Sequence, residues 1–143
     1  MDLLMSQNRQ RYPRRKVILA HAGGTLPWTF PRVSNWRRGL SRVQVGNGIT
    51  YDDMIRDFLS FSFDIAFSSS HQGLDLLLKV VASDHILYGS DFPYAPQTSA
   101  SNLRDDLESR PTDQDTRAKI YYRNALDPIP RLRHYLYEDH SRL

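Results

Sequence analysis

Two apolar runs in this chain each lead into a glycine-bearing turn that carries one ionisable side chain. Val17-Ile18-Leu19-Ala20 runs into His21-Ala22-Gly23-Gly24, and His85-Ile86-Leu87-Tyr88 runs into Gly89-Ser90-Asp91-Phe92-Pro93. An imidazole that titrates near neutrality can polarise a carbonyl or hand a proton to a carbon. A carboxylate at a strand end can ligate a divalent metal and take a proton from bound water or substrate. Arg32, eleven residues after His21, offers a guanidinium that matches a carboxylate bidentately, and Trp28 offers an aromatic wall. Each residue also has a plainer reading: His21 as a satisfied structural histidine, Asp91 as the cap of a turn, Arg32 as a surface ion pair, Trp28 as packing. Asp64, inside the run Phe61 to Phe67, reads as a structural or supporting carboxylate that needs partners if buried. His71, His85, His134 and His140 show no ligand spacing with one another and read as non-catalytic.

The elements that must position these groups follow from periodicity. A short apolar run closed by glycine is the pattern of a buried parallel strand, and the C-terminal ends of such strands carry α/β sites. Strands are expected over Val17–Ala20, from Phe61 to near Phe67, and over Ile86–Tyr88. Met54, Ile55, Phe58 and Leu59 give a helical face over Tyr51–Leu59. Ser68, Ser69 and Ser70 offer caps to a helix over Gln72–Ala82, with Leu74, Leu77, Leu78 and Val81 inward. A helix from Ser101 or Asn102 to about Glu108 follows a loop over Ala95–Ala100. Another starts at Pro111-Thr112-Asp113 and runs to about Ala125. Residues 1 to about 11 read as a helix end with Leu3, Leu4 and Met5 on an apolar patch. Pro27 and Pro31 predict that the segment after His21 is not a regular helix but a loop. With Trp28, Phe30 and Trp36 it is aromatic enough for a lid or an interface. The tail over 127–143 is amphipathic and weakly specified. Strands alternating with helices define an α/β class, with about three parallel strands as part of a barrel.

Composition bounds the rest. The 143 residues suffice for one core but fall short of a complete (β/α)8 barrel, which takes roughly 250. A hydrophobic content of 40% predicts a folded segment. No apolar stretch approaches the ~20 residues of a membrane helix, so no membrane partner is expected. Cysteine is absent, which leaves His, Asp and Glu as the possible metal ligands. The net charge is +3 and Arg9, Arg11, Arg14 and Arg15 cluster, yet no aromatic platform interleaves them, so no nucleic-acid partner is expected. The first ten residues lack the pattern of a secretory signal, which makes a cytoplasmic location the expectation.

The block His21 to Pro27 followed by Arg32, then Phe63-Asp64-Ile65-Ala66, then Ile86 to Pro93, resembles the C-terminal half of a family-2 amidohydrolase. That family includes aminocarboxymuconate-semialdehyde, resorcylate-type and 6-methylsalicylate-type decarboxylases and some lactone hydrolases. The likeness runs from about Tyr12 to Asn124 and implies the C-terminal part of a (β/α)8 TIM barrel, with residues 1–143 a partial domain of that kind. By resemblance, Asp91 is the last-strand aspartate that ligates the metal and His21 is the catalytic histidine beside it. Arg32 would hold a substrate carboxylate and Trp28 would line the substrate site. The implied reaction is non-oxidative decarboxylation of a small aromatic or unsaturated carboxylic acid, with a divalent metal, Zn2+ by resemblance. Lactone or amide hydrolysis by the same site is one alternative, and an inactive fragment or interaction module is another. The His-x-His strand and a further histidine ligand of the family have no counterpart here. The metal site is therefore expected to be incomplete in this chain, which would act as a homo-oligomer or with a missing N-terminal half.

Overall fold

Three short parallel strands, in the order β1-β2-β3, form the centre of the fold: β1 (Ile18–Leu19), β2 (Ser62–Asp64) and β3 (Ile86–Leu87). This computed structural model describes residues 4, 6, 8–38 and 48–138. Ile18 and Leu19 stand opposite Ser62 and Phe63, and Phe63 and Asp64 stand opposite Ile86 and Leu87. Hydrogen bonding reaches slightly past the strands, from Ser62 N–H to the Val17 carbonyl at 2.9 Å and from Ile65 N–H to the Leu87 carbonyl at 2.9 Å. Among the described residues, seven helices accompany the sheet in chain order. They are α1 (Asn8–Arg11), α2 (Leu26–Arg38), α3 (Tyr51–Leu59), α4 (His71–Leu78), α5 (Gln97–Ser109), α6 (Gln114–Ala118) and α7 (Leu132–Glu138). The strand–helix alternation expected of an α/β chain is present.

Helix α3 has the predicted bounds, and its first turn explains why it starts where it does. The Thr50 hydroxyl accepts from Asp53 N–H at 3.1 Å while an Asp53 oxygen accepts from Thr50 N–H at 3.0 Å, closing a capping box. Met54 and Phe58 are then delivered to the core. Asp57, on the same helix, is also buried; burial pushes its carboxyl up, opposed by Arg56, raised further by Asp53 and lowered by Arg9. Ser70 caps α4 by accepting from Gly73 N–H at 3.3 Å, and Leu74 and Leu77 face inward. That helix stops at Leu78, short of the expected Ala82, and Val81 reaches the core from the segment beyond it.

Two expectations are corrected. The segment after His21 is not a loop: α2 runs from Leu26 to Arg38 straight through Pro31. Pro27 falls in its first turn, where a missing N–H costs nothing, and Pro31 falls one turn later, forfeiting one intrahelical bond. Burial outweighs that loss, because Phe30 stacks on Phe58 with ring centroids 4.1 Å apart and planes within 12°. The expected loop over 95–100 is mostly helix, since α5 begins at Gln97 and its first turn closes from Ala100 N–H to the Pro96 carbonyl at 3.1 Å.

After α6 the backbone continues as a π-helical turn, Lys119–Arg123, and a 3-10 turn, Asn124–Leu126. This stretch borders β3. Tyr88 N–H donates to the Ile120 carbonyl at 2.8 Å, and the Asn124 amide donates to the carbonyls of Ser83 at 2.7 Å and Ile86 at 2.8 Å. The core is continuous from Leu4 through Phe58, Phe61, Phe63, Ile65 and Ile86 to Leu107 and Ile120. Expectations for Leu3, Met5, the Trp36 side chain, His140 and residues 139–143 lie outside the described residues. Among the described residues, no helix is long and apolar enough to cross a membrane.

Candidate active site

The chain turns sharply where each strand ends, and the sharpness is recorded in the backbone. Among the described residues, four non-glycine positions have positive φ: His21 at 53°, Ala22 at 55°, Phe67 at 55° and Asp91 at 61°. All four lie in the segments that follow β1, β2 and β3. Side chains avoid this conformation, and here it is concentrated at three adjacent strand ends, a clustering common at active sites.

His21 opens a tight left-handed turn, His21–Gly23, directly after β1. Its ring nitrogen Nδ1 lies 2.9 Å from the Ala66 carbonyl oxygen. A carbonyl only accepts, so Nδ1 carries the proton and Nε2 is the nitrogen left for chemistry. The Phe67 ring stands edge-on to the imidazole at 6.5 Å. Gly23, at φ +76°, lets this turn settle on the core: a Cβ there would lie 3.1 Å from the Phe63 ring.

Asp91 follows β3 and is partly exposed. The turn is capped not by Asp91 but by Ser90, whose hydroxyl accepts from Phe92 N–H at 3.3 Å. Among the described residues the Asp91 carboxylate has no hydrogen-bond or ion-pair partner, so the capping reading of this residue does not hold. Asp64 ends β2 and is half-buried; its Oδ1 accepts from Ala66 N–H at 3.0 Å and from His21 N–H at 3.2 Å.

The correction to α2 changes the setting of the two substrate candidates. Trp28 and Arg32 are now four residues apart on one helix and share a face. That face is open: Trp28 is 69% exposed, and Arg32 is exposed with no hydrogen-bond or ion-pair partner among the described residues. Phe92 and Tyr94 beyond Asp91 are also largely exposed. Two other histidines are accounted for structurally. His85 Nδ1 pairs with the Phe61 carbonyl at 2.8 Å, and His71 Nε2 with the Asp106 carbonyl at 3.0 Å. Sequence reasoning missed the Ala66 carbonyl and the Ser90 cap. The signal available was Asp64 two residues before Ala66, the spacing of a turn in which an aspartate accepts from the second N–H on.

A parallel sheet with acid–base side chains at its strand ends defines an α/β enzyme-like class of site. Residues 1–127 match the amidohydrolase family, and the chain belongs to it. It is 35% identical over 133 residues to a 6-methylsalicylic acid decarboxylase of Penicillium expansum, covering 93% of this chain and 40% of that protein. To a 6-methylsalicylic acid decarboxylase of Aspergillus aculeatus it is 32% identical over 143 residues, covering 93% of this chain and 41% of that protein. A solved structure, the dihydroxybenzoic acid decarboxylase of Polaromonas sp. JS666 with bound manganese and 2-nitroresorcinol, has the same fold over the shared part. The TM-score is 0.76 at 22% identity, with 94% of this chain and 40% of that chain covered. The sheet and its helices are thus part of a TIM barrel, and the chain spans about 40% of the length of the curated relatives it matches.

Three protein ligands are the usual minimum for a catalytic zinc. Among the described residues no group of three or more His, Cys, Asp or Glu side chains stands where it could hold a metal ion. The described residues do not make a metal site by themselves, and Asp91 is at most one donor to such a site.

Proposed function

We propose that this chain serves the non-oxidative decarboxylation of an aromatic carboxylic acid, with His21 as the proton carrier and Asp91 as the facing carboxylate. The observation that carries the reading is the anchored imidazole: Nδ1 is tied to the Ala66 carbonyl at 2.9 Å at a strand end. Such a ring delivers or accepts its proton at Nε2 alone. In the reaction, the ring carbon that bears the carboxylate accepts that proton. The carbon–carbon bond then breaks, its electron pair returns to the ring, and CO2 leaves. The two candidates follow strands two places apart, about 10 Å across the sheet at ~4.8 Å per strand, a gap that a small aromatic acid can occupy.

Asp91, unpartnered among the described residues, is suited to be one oxygen donor to a divalent cation. The manganese of the Polaromonas relative supports a divalent ion of this kind, and Zn2+ is the ion proposed here. Arg32 and Trp28, on one exposed face of α2, are proposed as the carboxylate and aromatic contacts. The curated relatives named above, both decarboxylases, support this reading over lactone hydrolysis.

The test is a chimera in which this chain replaces the matching part of the Penicillium decarboxylase. CO2 release from 6-methylsalicylic acid is expected. His21→Ala and Asp91→Asn should each lower turnover by about 10²- to 10⁴-fold, the contribution of a positioned acid or base. A folded, active chimera indifferent to both substitutions refutes the assignment, and hydrolysis of an aryl lactone without CO2 release would favour the hydrolase instead.

A further inference from the structure

One carboxylate oxygen sits where two strand ends meet. Asp64 Oδ1 accepts from Ala66 N–H within its own turn and from His21 N–H in the loop after β1. The second turn returns the contact, because the Ala66 carbonyl receives the His21 ring at Nδ1. His21 is therefore held twice, by its backbone directly through Asp64 and by its ring through the turn that Asp64 closes. His21, where both contacts end, is left-handed at φ 53°, and so is Phe67, next to Ala66, at φ 55°, a conformation that side chains rarely adopt unless retained. Gly89, after β3, leaves room for the arrangement. A Cβ there would lie 3.3 Å from Ala66 Cβ and 3.4 Å from Asp64 Oδ1.

We propose that Asp64 is the positioning residue for His21, fixing both the orientation of the imidazole and its tautomer. It touches no substrate; it acts through the Ala66 carbonyl and the His21 amide. With Nδ1 obliged to donate to a carbonyl, proton exchange is confined to Nε2. Without Asp64 the turn Asp64 to Phe67 loses its closing bond, the Ala66 carbonyl is no longer aimed, and the ring is free to take the other tautomer. The proposal rests on the reading of His21 as proton carrier, yet its readout is a proton's place on a ring, which does not depend on turnover.

The experiment is a long-range proton–nitrogen correlation spectrum of the histidine rings in the 15N-labelled 143-residue chain at pH 8, where an ordinary imidazole is neutral. A His21→Gln spectrum assigns the His21 signals. Native His21 is expected with Nδ1 protonated. Asp64→Ala should move it towards the Nε2-protonated form, while His85, held by the Phe61 carbonyl, stays unchanged as the internal control. Asp64→Asn should retain the native tautomer, because an amide oxygen can accept the same two N–H groups. An Nε2-protonated His21 in the native chain, an unchanged His21 in Asp64→Ala, or a lost tautomer in Asp64→Asn each overturns the proposal. Should Asp64→Ala not fold, Asp64→Glu keeps the charge and moves the accepting oxygen one methylene away from both N–H groups: altered His21 signals with His85 unaltered support the proposal, and unaltered His21 signals overturn it. Failure of the decarboxylase reading would appear separately, as a folded chimera that releases no CO2.

Discussion

The turn that carries His21 rests on the Phe63 ring, and a double substitution measures that support. Gly23→Ala introduces two penalties. The first is conformational: at φ +76° a side chain costs about 1–2 kcal/mol. The second is steric, because the new methyl would lie 3.1 Å and 3.2 Å from two carbons of Phe63, a ring with 0% exposure that packs 5.6 Å from Phe58 and has little room to move. Overpacking of this kind costs about 1–3 kcal/mol, so the total should be about 2–5 kcal/mol. Phe63→Val removes both ring carbons and should itself cost less than the ~3–5 kcal/mol of a phenylalanine truncated to alanine. In that background Gly23→Ala should cost only its conformational part, about 1–2 kcal/mol. The remaining contact, Pro27 Cδ at 3.4 Å, is close to ordinary packing. Urea unfolding of the four proteins by circular dichroism gives the coupling directly. A cost of Gly23→Ala that agrees in the two backgrounds within about 0.5 kcal/mol would refute the support and leave only the backbone effect.

Burial holds the Asp57 carboxyl above its ordinary range, so the folded state binds that proton more tightly than the unfolded one. Stability from this group is present in full below about pH 4 and is lost as pH rises through the folded pKa; Asp57→Asn should therefore raise the melting temperature at pH 7 but not at pH 3, and a lower melting temperature at pH 7 would contradict this. Asn124→Ala removes the donor to the Ser83 and Ile86 carbonyls and should cost about 1–3 kcal/mol in urea unfolding; a cost under 0.5 kcal/mol, about the noise of independent sites, would show that water replaces it.

Features encoded within a few residues were legible, and those completed by distant partners were not. Helix α3 could be read to its ends because its apolar face is periodic and its capping residues adjoin it. The strand ends at His21 and Asp91 stood out because glycine follows or precedes them. The helical α2 was missed because two prolines weigh heavily in a local reading, whereas the stacking of Phe30 on Phe58, which outweighs them, joins positions 28 residues apart. Asp64 was legible as a carboxylate in need of partners. Its partner His21 lies 43 residues away and is fixed only by the pairing of β1 with β2.

The bond between the His21 ring and Ala66 also sets a time. The two are separated by 45 residues, and at a synthesis rate of 5–20 residues per second the ribosome needs roughly 2–9 seconds to make the second after the first. Throughout that interval the His21–Gly24 segment has neither Asp64 nor the Ala66 carbonyl to hold it, and its left-handed residues are free to populate commoner conformations. The geometry at His21 thus waits on the later synthesis of β2, and nascent-chain protease sensitivity near His21 should disappear once β2 has emerged and paired.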